Sequence, residues 1–455
     1  MGDYLPHTEE DVETMLAFLG LSSTEELFAA VPAALRLSGG IALEVGVPEP
    51  DALALARSRA SRNAQGLVCF AGAGAYDHEV PPVVRALAGR SEFVTAYTPY
   101  QAEVAQGGLQ AIFEFQTMVS RLFGLPIANA SLYDGASAVV EAANLAVGAT
   151  GRDGVLVSAG VHPHWRAVLA TFARGTGHRL VEVPLRAGKT DWSAAGATPA
   201  IGAVVVGYPN YLGCLEDLAA ARARADEEGA LLVVAADPVA AGILKSPGEW
   251  GADVAVGEGQ AFGTALSFGG PYLGLFTCAA AHVRRLPGRL VGETVDAEGR
   301  TAYVTTLRTR EQDIRREKAT SNVCTNQTLM ALTAAVQLGW LGTTGLAEVA
   351  TRCARGARYC REALLTLDGV DPLTGATPTL REFAVALPLP APALVARLAE
   401  EGFLAGVAVG DLVGEGGDGS VGAADAERAL LVAVTERRTR SEIDRFVAAF
   451  DKALR

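Results

Sequence analysis

The sequence predicts an α/β protein in three parts: a helical N-terminal arm over residues 1–62, a large domain with a mainly parallel sheet over 63–345, and a small α/β domain over 346–455. The apolar runs Val155-Leu156-Val157, Ala203-Val204-Val205-Val206 and Leu231-Leu232-Val233-Val234-Ala235-Ala236 lack polar alternation, so they read as strands buried on both faces, as in a parallel sheet. Helical stretches separate them, which is the order a doubly wound sheet requires. Past Leu367 the style changes. Strands Phe383 to Leu387 and Leu430 to Val434 alternate with helices Pro392 to Glu401 and Thr439 to Leu454, and Gly414 to Gly422 is a loose glycine-rich loop.

The arm opens with Thr8-Glu9-Glu10-Asp11, a capping box before Val12, Met15, Leu16 and Leu19; Ser23-Thr24-Glu25-Glu26 is expected to cap a second helix that stops at Pro32. A further helix runs from Asp51 to Arg62. An arm with so little core either covers its own domain or packs on another subunit. Gly72-Ala73-Gly74-Ala75-Tyr76-Asp77 reads as a turn in preference to a phosphate cradle, for which a lone glycine-rich loop is weak evidence. Tyr97-Thr98-Pro99-Tyr100 holds two rings about a proline of fixed φ, ahead of a helix from Gly108 to Phe123. Helices are expected at Asn326 to Leu341 and Gly345 to Leu367. The polar stretch Arg284 to Arg316 shows no strong periodicity and reads as a long connection reaching a partner, with Cys324 beyond it as a small buried side chain.

A net charge of −13 without basic clusters excludes nucleic acid and anionic membranes as the main partners. Six scattered cysteines with no CxxC pair read as reduced thiols, and no metal site is expected from the spacing of His, Cys and carboxylates. We also expect no membrane helix of about 18 uncharged residues, and a cytoplasmic location.

The chemistry concentrates between Leu231 and Tyr272. The strand ending at Ala236 runs into Asp237-Pro238, and a second one, Ala252 to Gly257, runs into Glu258-Gly259-Gln260-Ala261-Phe262-Gly263 and Ser267-Phe268-Gly269-Gly270-Pro271-Tyr272. This layout resembles the pyridoxal-phosphate (PLP) transferases of the aspartate-aminotransferase type, fold type I. There, an aspartate at one strand end pairs with the pyridinium nitrogen and a lysine after the next strand holds the cofactor covalently. Gln260 stands where that lysine is expected. The chain has only four lysines, Lys189, Lys245, Lys318 and Lys452, and an amide cannot form an imine.

Tyr97-Thr98-Pro99-Tyr100-Gln101, Ala128 to Ser137 and Glu317 to Gln327 together resemble the P-protein family of the glycine cleavage system, glycine dehydrogenase (decarboxylating), over nearly the whole chain. The missing lysine makes the resemblance one to the N-terminal or alpha half, subunit 1, of the split bacterial enzyme. It implies a homologous beta chain, subunit 2, that carries the lysine and PLP in an α2β2 heterotetramer, and no covalent cofactor on this chain. It also implies a reaction in which glycine loses CO2 and its aminomethyl group passes to the lipoyl group of H-protein.

Carried over by residue, the resemblance makes Asp134, Gly135, Ala136 and Ser137 the vestigial phosphate position, Asp237 the pyridinium partner, and His162 or His164 the ring that stacks on the pyridine. Each has a plainer alternative: Asp134 as a helix cap, the histidines as a hydrogen-bonded turn, Asp237 as a turn residue. Tyr97, Tyr100, Gln101 and Glu103 are the candidates for a site shared with the partner, and Lys318, Thr320 and Asn322 are weaker ones. Two rival readings stay open at this point: an independent PLP enzyme using Lys245, and a non-catalytic scaffold or regulator.

Overall fold

The computed structural model describes residues 6–37, 39, 41–94, 99–196, 200–267, 269–414 and 417–455. The chain divides into two units, Met1–Gln65 and Gly66–Arg455. In the first, Thr8 Oγ1 accepts from the Asp11 N–H at 3.2 Å and the Asp11 carboxylate accepts from the Thr8 N–H at 2.8 Å, which opens α1 (Glu9–Leu19) with the expected reciprocal cap. Ser23 does not cap. Thr24–Phe28 is a 3-10 helix, and the Glu26 carboxylate, a stronger acceptor than a serine hydroxyl, takes the Ser22 N–H at 3.0 Å. Helix α2 (Glu49–Ala60) starts before Asp51 because Pro50 sits in its first turn, where a preset φ and a missing N–H cost nothing. Among the described residues, no helix of this unit buries a side chain.

The second unit is built on a seven-stranded sheet of β1 (Ile127–Ala128), β2 (Gly154–Ser158), β3 (Arg179–Val183), β4 (Ile201–Tyr208), β5 (Leu231–Ala236), β6 (Val254–Glu258) and β7 (Gly274–Cys278). Their order is β1-β7-β6-β5-β4-β2-β3, with β7 antiparallel to both neighbours and β2 to β6 parallel where they pair. Every residue of β2 and β4 is buried, as their unbroken apolar runs require. Successive residues serve opposite faces: Val204, Val206, Leu232 and Val234 join the core under α3 (Gln106–Phe123), while Val205 and Val233 join the core under α4 (Gly135–Thr150). Helix α4 lies close to the sheet because it presents Ala138, Ala142, Ala143 and Ala146, all fully buried. Helices α5 (Pro163–Thr176) and α6 (Leu218–Glu228) complete the layers. The chain runs from β2 outward to β3 and then returns to the other side of β2 as β4. That reversal opens a crevice at the carboxyl ends of β2, β4 and β5, where sheets of this kind take ligands.

Two stretches depart from expectation. The supposed connection over 284–316 contains a hairpin, β8 (Val291–Val295) with β9 (Thr301–Thr305), in register Val291 opposite Thr305. Helix α7 (Thr328–Leu364) is long and apolar enough to cross a membrane by length and composition, contrary to expectation. Its first half instead supplies Ala331, Leu332, Ala334, Ala335 and Leu338 to the buried interior, and Gly342, at φ 60°, breaks it where two helices were expected to part. The C-terminal part of this unit, which is not split off as the separate domain expected over 346–455, has β10 (Asp371–Pro372), β11 (Glu382–Ala386), β12 (Val407–Ala408) and β13 (Ala429–Ala433), ordered β10-β11-β13-β12 and antiparallel throughout. Helices α8 (Ala391–Glu400) and α9 (Arg440–Leu454) close its core, in which Phe70 stacks on Phe446 at 4.0 Å.

Candidate functional site

The crevice is a cleft lined from three directions. The segments following β2, β4 and β5 contribute His162, Asn210 and Asp237; the last residue of β6 and the turn after it contribute Glu258 and Gln260; and the residue before β11 contributes Arg381, followed by Glu382. The glycine-rich loop at 72–77 belongs to the same place. Its Ala73 N–H donates to Glu382 Oε1 at 2.7 Å, Tyr76 Oη donates to Glu382 Oε2 at 2.7 Å, and His162 Nε2 donates to the Ala73 carbonyl at 3.0 Å. Gly72 is required here because a Cβ would run into Glu382, Ala433 and Tyr76. Of its two sequence readings, the loop is a turn bound to the protein's own carboxylate.

Arg381 is the only cation lining the cleft among the described residues, and it is 6% exposed. Its Nη2 meets Asp237 Oδ2 at 2.9 Å, and its guanidinium lies 3.5 Å over the Tyr76 ring. Nη1 lies 2.6 Å from His78 Nε2; since arginine can only donate, His78 accepts there and donates through Nδ1 to Glu436 at 2.7 Å. Burial pushes the Glu436 carboxyl up, but the His78 hydrogen bond and the Glu79 N–H outweigh it and hold the group down at about 2. His78 and Glu436 also form, with Cys353, a set of possible metal ligands within 4.8 Å of one another, which three segments distant in sequence bring together and which spacing could not reveal. Both ring nitrogens of His78 are already engaged, and burial pushes the Cys353 thiol well up. As folded, the set braces Arg381.

Glu258 and Glu382 are each pushed up to about 7, in both cases mainly by burial. A carboxyl raised in the folded state keeps its proton more tightly than the unfolded chain does. Its stabilising effect is therefore full below the ordinary carboxyl range near 4.5 and is lost as pH rises through about 7. We expect the urea midpoint to fall between about pH 5 and pH 8, and the fall to be smaller in Glu382→Gln, whose amide still serves the Ala73 N–H and Tyr76 Oη. A midpoint that does not move over this range would contradict the assignment. His162 behaves in the opposite sense: burial depresses it to about 4, so it is a neutral ring that donates to Ala73 and accepts the His164 N–H at 3.2 Å.

The profile of the glycine cleavage system P-protein family matches residues 2–374. The chain belongs to the glycine cleavage system P-protein family. It is 46% identical over 451 residues to the probable glycine dehydrogenase (decarboxylating) subunit 1 of Chlorobium chlorochromatii (strain CaD3), with 98% of each chain covered. The crystal structure of glycine decarboxylase (P-protein) of the glycine cleavage system, in inhibitor-bound form, matches at TM-score 0.89 and 46% identity, with both chains covered in full. A NifS-like protein from Rickettsia africae, 12% identical, matches at TM-score 0.62 over 85% of this chain and 99% of its own, and shows the fold alone. The fold is that of the type I PLP-dependent transferases, with a mainly parallel central sheet.

Three sequence blocks that carried the P-protein resemblance meet in space. Tyr100 Oη donates to Asn326 Oδ1, and Asn326 Nδ2 donates to the Ala130 carbonyl and to Ser131 Oγ, both at 2.9 Å. Arg289 lies 5.1 Å over the Tyr100 ring and pairs with Glu311. The Tyr100 hydroxyl is thus engaged within its own chain; Gln101 and Glu103 are exposed, and Tyr97 lies outside the described residues. Lys318, Thr320 and Asn322 are exposed, and so is Cys324, which was expected to be buried: it lies in an irregular segment that packs Val323, and not Cys324, against the core.

Asp134 caps α4 through the Ser137 N–H at 2.7 Å, with Gly135 and Ala136 buried behind it. His162 faces the cleft, while His164 is exposed beside it. Asp237 does two things: its Oδ1 accepts the Val239 N–H at 2.9 Å as a turn residue, and its Oδ2 holds Arg381. Gln260 is 1% exposed and lines the cleft, whereas no lysine of the chain does. Lys245 places its ammonium 4.4 Å over Trp250. A PLP group would find no amine in the cleft, so the residues present do not fit covalent attachment. Sequence reasoning missed Arg381, Glu382 and the role of Glu258. A signal existed in Arg381-Glu382, two adjacent charges entering an otherwise apolar strand.

Proposed function

We propose that the chain is the alpha subunit of a split glycine decarboxylase, contributes no covalent chemistry, and works in the cytoplasm with a lysine-bearing beta subunit that holds PLP in an α2β2 assembly. The carrying observation is the pairing of a P-protein fold with Gln260, a buried amide, at the position of the expected lysine. When bound in the partner, PLP serves as the electron sink for loss of CO2 from glycine, and the aminomethyl group then passes to the lipoyl group of H-protein. This chain supplies shape, with Tyr97, Tyr100, Gln101 and Glu103 as candidates to orient substrate and exclude water at a shared surface.

The N-terminal unit supports a partner. Its helices bury no side chain among the described residues, and Phe18, Leu35, Leu37, Ile41, Leu43 and Val45 are exposed, an apolar row of the kind that another surface covers. Borohydride reduction of the co-purified complex in PLP, followed by intact mass, tests the assignment. We expect the pyridoxyl mass on the partner only; its appearance on this chain, for instance at Lys245, would overturn the subunit reading.

A further inference from the structure

We propose that this chain's cleft is closed to PLP by three internal substitutes, at the lysine, phosphate and pyridinium contacts, so that the missing lysine is a single barrier among three and replacing it alone does not restore binding. The proposal rests on the functional reading above, in which Asp134 to Ser137 and Asp237 occupy the positions that hold the group in lysine-bearing relatives.

The first substitute is Gln260 itself. Its Oε1 accepts the Tyr76 N–H at 2.9 Å, and its Nε2 donates to the carbonyls of Tyr76 at 3.1 Å and Thr264 at 2.7 Å. The amide is therefore a structural clamp on the loop over the cleft. It is more than a position where an amine has been lost.

The second is Glu258, and it sits where a phosphate would. Free N–H groups at the start of α4 would suit a phosphate. Here Glu258 Oε2 takes the Gly135 N–H at 2.9 Å, and its Oε1 takes those of Gln260 and Leu273, both at 2.9 Å. Asp134 takes the Ser137 N–H. An incoming phosphate would thus meet two carboxylates in place of free donors. The Trp165 ring also lies so close over Gly135 that a Cβ there would strike it.

The third is Arg381. A protonated pyridine nitrogen is held by its attraction to an aspartate, but the Asp237 carboxylate is already paired with a guanidinium at 2.9 Å. That guanidinium is fixed from its other sides by the Tyr76 ring and by His78. Above about pH 7, where Glu258 and Glu382 ionise, these two and Asp237 are set against the single cation Arg381 among the described residues, and the excess of negative charge opposes a phosphorylated ligand as a whole.

Two measurements on the full-length chain test this. In Gln260→Lys, incubated with PLP and reduced with borohydride, we expect no pyridoxyl mass on the peptide containing position 260, alone or in complex with the partner. Stoichiometric labelling of that peptide would overturn the proposal while leaving the subunit reading intact, provided the unsubstituted chain stays unlabelled. The second measurement does not depend on that variant folding. At about pH 8, where Glu258 is ionised, inorganic phosphate should raise the melting temperature of Glu258→Ser by about 2–4 °C and leave the unsubstituted chain unmoved. Equal shifts in both proteins, as a general salt effect gives, would show that the anion does not act at the place of Glu258, and no shift in either would show that Glu258 does not occupy an anion cup; both overturn the second substitute.

Discussion

Arg381→Leu is expected to lower the folding free energy by about 3–5 kcal/mol, the range for removing one partner of a buried ion pair. Leucine fills part of the volume, so the cost does not come from a cavity. It comes from Asp237, 13% exposed at its side chain, which loses the one cation paired with it among the described residues, and from Glu382, whose charge Arg381 also favours. Loss of the guanidinium from the Tyr76 ring and from His78 adds to the effect. The double variant Arg381→Leu/Asp237→Asn separates the causes. Its asparagine amide would keep the Oδ1 acceptor for the Val239 N–H and carry no charge, so most of the lost stability should return. Urea unfolding of the three proteins decides the matter. A loss under about 1 kcal/mol in the single variant would mean that water solvates Asp237 in the cleft, and a double variant no better than the single would assign the cost to packing.

What the sequence revealed follows the range of the interactions concerned. The strands β2, β4 and β5 were visible because burial on both faces leaves an unbroken apolar run, and α1 was visible because its reciprocal cap spans only Thr8 to Asp11. The hairpin β8–β9 was obscured by its exposure. Val291 is buried but Glu293, Thr294 and Val295 are not, so the alternation that marks a strand is broken by charge. In the site, Gln260 and Asp237 were legible because strand ends position them locally. The Arg381–Asp237 pair and the Glu382–Ala73 contact join segments 144 and 309 residues apart, and no local pattern encodes such partners. Glu258 shows the limit most clearly. It lies two residues from Gln260, in a stretch already singled out, yet its function depends on the amide of Gly135, 123 residues away.

The second large effect concerns assembly. Phe18→Asp/Phe28→Asp should leave the urea midpoint of the isolated chain nearly unchanged, within about 0.5 kcal/mol, because Phe18 is 90% exposed and Phe28 55%. The same change should weaken association with the beta subunit by about 30-fold or more, since a large aromatic side chain anchored in an interface is worth about 2 kcal/mol and a carboxylate forced into its place must also be desolvated. The contrast between the two readouts carries the inference. A residue holding its own unit together would lower the midpoint and affect association only through unfolding, whereas a docking residue affects association alone. Pull-down against the partner at matched concentrations, with midpoints measured on the same preparations, separates the two. A fallen midpoint with undiminished association would make the apolar row of the N-terminal unit part of this chain's own fold, and the partner surface would then have to lie elsewhere, with the exposed residues Gln101, Glu103 and Lys318 next in order.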